Sequence, residues 1–177
     1  AQNRRVQLLM RESGGGKSKL GFDLGTQYAS VLFIRLTKGK DVPGLTRPFD
    51  EWVTKVASWD WGDISRDRRV SQTKCAIALL LVLISCYADF GSAALAVIRG
   101  MYNPDLPKRR ELLLRLFLSG QCEDAVQGEF SRRAGLIRRG EIAVNPWTMV
   151  VSSLRTLRSV CGDMDLILFF DGVQGLV

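Results

Sequence analysis

Residues 75–87, CAIALLLVLISCY, form an almost unbroken apolar run, and the apolar character resumes over Gly91 to Ile98 after Asp89. A membrane-spanning helix needs about 20 consecutive apolar residues. The first run stops well short of that and is closed by a carboxylate, so it predicts the central, buried helix of a folded body. A helix that is apolar on all sides must be covered on all sides. That requirement sets the rest of the reading: flanking segments have to supply amphipathic faces.

They do. Pro107 starts a predicted helix carrying Leu112, Leu113, Leu116 and Phe117 and closed by Gly120. A second, over about 122–139, puts Val126, Phe130, Ala134 and Ile137 on one face, with Gly128 and Gly135 weakening its continuity. Asn145-Pro146 is a strong start signal, since Asn caps a free N–H and Pro needs none in the first turn. Trp147, Val150, Val151, Leu154 and Leu157 follow as an apolar stripe. Lys19 to Leu36, rich in aromatic and β-branched residues around Gly25-Thr26, predicts two strands or one long bulged strand. Met164 to Phe170, then Asp171-Gly172 and Val173 to Val177, predicts a terminal hairpin or a paired terminal strand. Between them, TRPFDEWVTKVASWDW (46–61) reads as a helix with Phe49, Trp52 and Trp59 along one stripe, as core aromatics. The expected fold is α+β: a flexible basic arm over residues 1–19, then one compact domain over 20–177 with an early strand pair, several helices and a terminal hairpin.

The residue inventory narrows the chemistry. The chain has no histidine, which removes the usual general base and the usual zinc nitrogen. Cys75, Cys86, Cys122 and Cys161 are widely spaced and predict free thiols in a reducing compartment. No basic-then-apolar leader opens the sequence, and secretion by that route is not expected. Gly14-Gly15-Gly16-Lys17-Ser18 lacks the earlier glycine and the strand that a phosphate loop requires. Gly21-Phe22-Asp23-Leu24-Gly25-Thr26 is similar to the first phosphate loop of actin-like and RNase H-like folds. On that minor reading Asp23 would hold a metal for phosphoryl transfer, but no further strand-borne carboxylates converge on it. The expectation is a protein that is not an enzyme and needs no cofactor.

Charge is the informative feature. The formal net charge is +7, and residues 1–40 account for +6 of it, with eight Lys or Arg against Glu12 and Asp23. Arg4, Arg5, Arg11, Lys17 and Lys19 are candidate contacts to an anionic partner, and Leu8, Leu9 and Met10 a candidate self-association patch. Lys108, Arg109, Arg110, Arg132, Arg133, Arg138 and Arg139 are candidate RNA contacts, with Arg155 and Arg158 able to join a positive surface. The same charges suit acidic lipid, helped by shallow insertion of apolar side chains.

A basic Gly- and Lys-rich stretch (GGGKSKLG), an apolar strand over Tyr28 to Leu36, Arg47-Pro48-Phe49, a helix with Val56, and Trp59-Asp60 at its end follow in order. This order resembles the matrix proteins of rhabdoviruses. The resemblance implies a virion structural protein that self-associates through a mobile arm, condenses the nucleocapsid and lies peripherally under a membrane in the host cytoplasm. No PPxY or PTAP budding motif accompanies it. The FDEW and ASW segments are also similar, more weakly, to the helical coat proteins of rod-shaped plant viruses, which implies an RNA-lining role for the arginines. The expected partners are a homo-oligomer, viral nucleocapsid or RNA, and an acidic lipid surface.

Overall fold

The computed structural model describes residues 16–35, 66–102, 104–138, 145–162 and 165–171. Helix α1 spans Lys17–Gln27, strand β1 Ser30–Arg35, α2 Arg66–Met101, α3 Leu106–Phe117, α4 Gly120–Arg138, α5 Pro146–Cys161 and strand β2 Leu166–Asp171. The architecture is α+β, with an early strand paired to the terminal one and helices between.

The central helix forms where the apolar run predicts it, but it is longer, reaching from Arg66 to Met101. Leu79, Val82, Leu83, Ile84, Cys86, Tyr87, Ala88 and Leu95 along it are buried. α5 lies along one side of it and α4 along another, with α3 and β1 completing the cover. Among the described residues, Gln72–Met101 is the one helical segment long and apolar enough to cross a membrane by length and composition, and 56% of its apolar window is packed inside the protein. Two internal serines do not disturb it. Ser85 and Ser92 donate back to the carbonyls of Val82 and Ala88, which satisfies both hydroxyl protons within the helix.

The caps follow the sequence. Asp105 accepts from the Lys108 N–H to start α3, and Asn145 accepts from the Trp147 N–H to start α5. α4 runs continuously through Gly128 and Gly135, burying Val126, Phe130 and Ala134 on the predicted face. On α5, Val150, Ser153, Leu157 and Cys161 are buried, whereas Trp147 is exposed.

Residues 17–27 correct the expectation of an early strand pair. They form a helix, and a single strand, β1, follows it among the described residues. Gly21 and Gly25 are spaced one helical turn apart and mark close approach. A Cβ on Gly21 would sit 2.6 Å from the Phe169 ring, and one on Gly25 2.7 Å from a Leu114 methyl. Lys17 to Lys19 are the first residues of this helix.

β1 pairs with β2 in parallel, in register from Ser30↔Leu166 to Arg35↔Asp171. A parallel pair cannot be closed by a tight turn, so the intervening helices serve as its crossover. Val31, Leu32, Phe33 and Ile34 are all buried, as expected of a strand covered on both faces. Phe33 and Phe169 stack across the pair at 5.0 Å between ring centroids. The terminal element is thus a strand returning to β1. The second arm of the expected hairpin, 173–177, lies outside the described residues, as does the helix expected over 46–61 with Phe49, Trp52 and Trp59.

Candidate anion-binding corner

A helix ends with unsatisfied carbonyls and a partial negative charge. At α5 these are met from two other helices. Arg99, in the last turn of α2, donates from Nη1 to the Val160 carbonyl at 3.1 Å, and Arg109, in the first turn of α3, donates from Nη1 to the Cys161 carbonyl at 3.1 Å. Gly162 then closes the helix in the left-handed region (φ 74°), its N–H on the Arg158 carbonyl. A Cβ there would lie 2.6 Å from Arg109 Nη1, so glycine leaves room for the guanidinium as well as the backbone turn.

These two bonds draw the end of α2, the start of α3 and the end of α5 into one corner. The consequence is a concentration of positive charge. Lys108 is exposed on the first turn of α3, Arg110 is half-buried beside it, and Arg155 and Arg158 lie a turn apart on α5, Arg155 exposed. With Arg99 and Arg109 that makes six cations. Asp105 is occupied as the α3 cap, and Arg110 and Arg158 have partners within the protein, whereas Lys108 and Arg155 are exposed. α3 has no acidic residue within its first turn, and the capping Asp105 carboxylate is what offsets its positive pole.

The other arginine pair behaves differently. Arg133, with its side chain 17% exposed, donates to Asp89 Oδ2 at 2.7 Å, to Glu129 Oε1 at 2.7 Å and to the Ser85 hydroxyl at 3.0 Å. Arg132 forms a two-pronged pair with the same Glu129. Hydrogen bonds from Arg132, and then from Arg133, hold the Glu129 carboxyl down at about 2, against the opposing effect of burial. Arg115 is likewise paired with Glu111. The α4 cations are thus largely consumed within the fold, and Arg133 ties α4 to α2.

The remaining expected site residues divide by position. Lys19 is exposed on α1; the Lys17 and Arg138 backbones belong to α1 and α4. Arg4, Arg5, Leu8, Leu9, Met10, Arg11 and Arg139 lie outside the described residues. Asp23, imagined at a strand end, sits on a helix, where its carbonyl accepts from the Thr26 hydroxyl at 3.2 Å. The phosphate-loop geometry is therefore replaced by a helical turn. Among the described residues no three metal-ligating side chains cluster. All four cysteines are free, and burial raises the Cys86 and Cys122 thiols to about 12.

Arg99 was not visible as a site residue from sequence. It follows a long apolar run, and only the packing of α2 against α5 reveals what it reaches. No protein-family model, curated protein or solved structure matches the chain.

Proposed function

We propose that this is a matrix-type structural protein of a virion, not an enzyme, that self-associates and fastens to an anionic surface through clustered cations. The observation that carries the reading is the corner where Arg99 and Arg109 gather three helix ends and leave Lys108 and Arg155 facing solvent. The resemblance of GGGKSKLG, Arg47-Pro48-Phe49 and Trp59-Asp60 to rhabdovirus matrix proteins supports it, as does the charge of the first 40 residues. The mechanism is multivalent: each cation contributes a weak, salt-sensitive contact, and an array of subunits makes the sum effective. The nucleocapsid and the acidic leaflet are the two anionic surfaces such a protein would bridge.

The engagement of Arg132 and Arg133 with Glu129 and Asp89 favours this over a coat protein whose α4 arginines line RNA. The test is binding of the full-length protein to phosphatidylserine-containing vesicles and to single-stranded RNA across a salt series, with K108E/R155E and R132E compared. The proposal expects weakening by K108E/R155E and little change from R132E. Salt-independent binding, or a loss confined to R132E, overturns it.

A further inference from the structure

Strand β2 is paired along one edge only among the described residues, whose sheet contains β1 and β2 alone. Two strands are at the lower limit of a stable sheet, and parallel strands are ordinarily covered on both faces. β1 meets that condition and β2 does not. Leu32 is fully buried, whereas Leu168, its partner in register, is 40% exposed. From Leu166 to Phe170 the strand is wholly apolar, without the Lys or Pro that blunts a natural sheet edge. Carboxylates bracket it: the exposed Asp165 just before Leu166, and Asp171, opposite Arg35, at its end.

The occupant that fits such an edge is an extended apolar segment with a cation at each end, and Arg5-Val6-Gln7-Leu8-Leu9-Met10-Arg11 has that form. Arg5 and Arg11 are six positions apart, as are Asp165 and Asp171, so one register matches both pairs. The course of α1 decides which way the segment runs. α1 ends at Gln27, just before β1 begins at Ser30 beside Leu166, and Gly21 lies against Phe169, so the start of α1 lies toward the Asp171 end of the sheet. Residues 12–16 link Arg11 to α1. A link of that length reaches about 17 Å, more than the roughly 10 Å between packed layers. Arg11 can therefore reach Asp171, with the segment parallel to β2. α1 becomes the crossover of a βαβ unit with β2 in its middle, which accounts for a helix next to β1 in sequence resting its Gly21 on Phe169 of β2. Residues 173–177, which follow β2 in sequence, carry no cation to match its flanking carboxylates.

We propose that residues 5–11 strap the open edge of β2 in the same chain as a third, parallel strand, with Arg5 opposite Asp165, Leu8 opposite Leu168 and Arg11 opposite Asp171. Opposite residues of paired strands share a face, so Val6, Leu8 and Met10 cover the side on which Leu168 is exposed. Asp171 then stands between Arg35 and Arg11. The strap does not depend on the virion reading, but it governs how the leading segment serves it. While the strap is seated, Arg5, Arg11 and Leu8 are engaged by the body, and an anionic surface or a second subunit gains them only by lifting it.

The experiment places a benzophenone amino acid at position 168 of the full-length protein and maps the photocrosslinked peptides in a mixture of isotopically heavy and light chains. The melting temperature checks folding, and the same group at position 8 serves instead if position 168 disturbs it. The expected product joins position 168 to the tryptic peptide Val6–Arg11 within one chain. Amide exchange supplies the charge test. R5D should lower the protection of Leu166–Phe170 about fivefold, because a like-charge pair replaces an opposite one, and R5D/D165R should restore it. Crosslinks to 36–65 or to 173–177, crosslinks joining heavy to light chains, or no crosslink from either position overturn the strap. Protection that R5D leaves unchanged overturns it as well, as does rescue by R11D/D165R where R5D/D165R fails, which is the mark of the antiparallel order. Vesicle and RNA binding play no part in these readouts, so the strap and the anionic-surface reading fail separately.

Discussion

Arg133 and Asp89 are 44 residues apart in sequence, yet Nη2 of one lies 2.7 Å from Oδ2 of the other, joining the middle of α4 to the middle of α2. The guanidinium also holds Ser85 and Glu129, so it fixes the rotation of one helix against the other as well as their separation. Arg133→Met should therefore destabilise the fold by about 1–3 kcal/mol, the lower end reflecting solvent at the partly exposed Asp89. Asp89→Asn should cost less, because Arg133 keeps Glu129. The double variant should recover part of the sum, since no unpaired cation remains. Urea melts of the four proteins measure this, and strict additivity would show that the pair is not coupled.

The glycines of α1 make an opposite prediction from their helix propensity. Gly25→Ala would favour an isolated helix by about 1 kcal/mol. Here the new methyl would meet Leu114 at 2.7 Å, and overpacking of that kind costs about 1–3 kcal/mol. The expected outcome is a lowered melting temperature, with Leu114→Ala costing less in the Gly25→Ala background than alone. A rise in stability for Gly25→Ala would mean that α1 is free to move off α3.

This helix also shows where sequence reading stopped. The starts of α3 and α5 were legible because Asp105, Pro107, Asn145 and Pro146 act through local hydrogen bonds and fixed dihedrals. The buried face of α4 was legible because Val126, Phe130 and Ala134 repeat every four residues. From Lys19 onward the sequence predicts strand because Leu20, Phe22, Leu24 and Tyr28 flank Gly25-Thr26, which suggests a turn, whereas residues 17–27 form a helix. The competing reason for those glycines, contact with Phe169 and Leu114, depends on residues nearly 90 and 150 positions away. The cationic corner was half legible: Lys108 to Arg110 and Arg155 with Arg158 stood out as charge, but Arg99 joins them only through a bond spanning 61 residues. The exposure of Val97 was hidden because it falls within the apolar stretch Gly91 to Ile98, whose character predicts burial.

The cysteines should report on folding rather than catalysis. The reactive species is the thiolate, and a thiol raised to about 12, as at Cys86 and Cys122, is ionised to roughly one part in ten thousand at pH 8. Cys161 is buried as well, at 2% exposure, whereas Cys75 is only half-buried. Under native conditions a disulfide reagent should therefore modify Cys75 first, with Cys86, Cys122 and Cys161 reacting at the rate of unfolding. Mass mapping of the labelled sites over time would check this order. Early modification of Cys86 would contradict its burial within α2.

Acid should weaken the α4 ion network in a defined window. Glu129 is lowered from an ordinary 4.5 to about 2, chiefly by its hydrogen bonds from Arg132 and then Arg133. A carboxyl depressed in the folded state contributes stability that is fully present above its unfolded value and is lost as protons bind on the way down to the folded one. The contribution of Glu129 should thus be constant from neutral pH to about 4.5, decline between there and about 2, and be absent below. Glu129→Gln removes the charge at every pH. The stability difference between wild type and this variant, taken from urea melts at a series of pH values, should be flat above 4.5 and shrink toward zero near 2. Its size will be modest because the carboxylate is a third exposed and partly screened. A difference that persists undiminished at the lowest pH would assign the effect of the substitution to packing or helix propensity and remove the charge network as its cause.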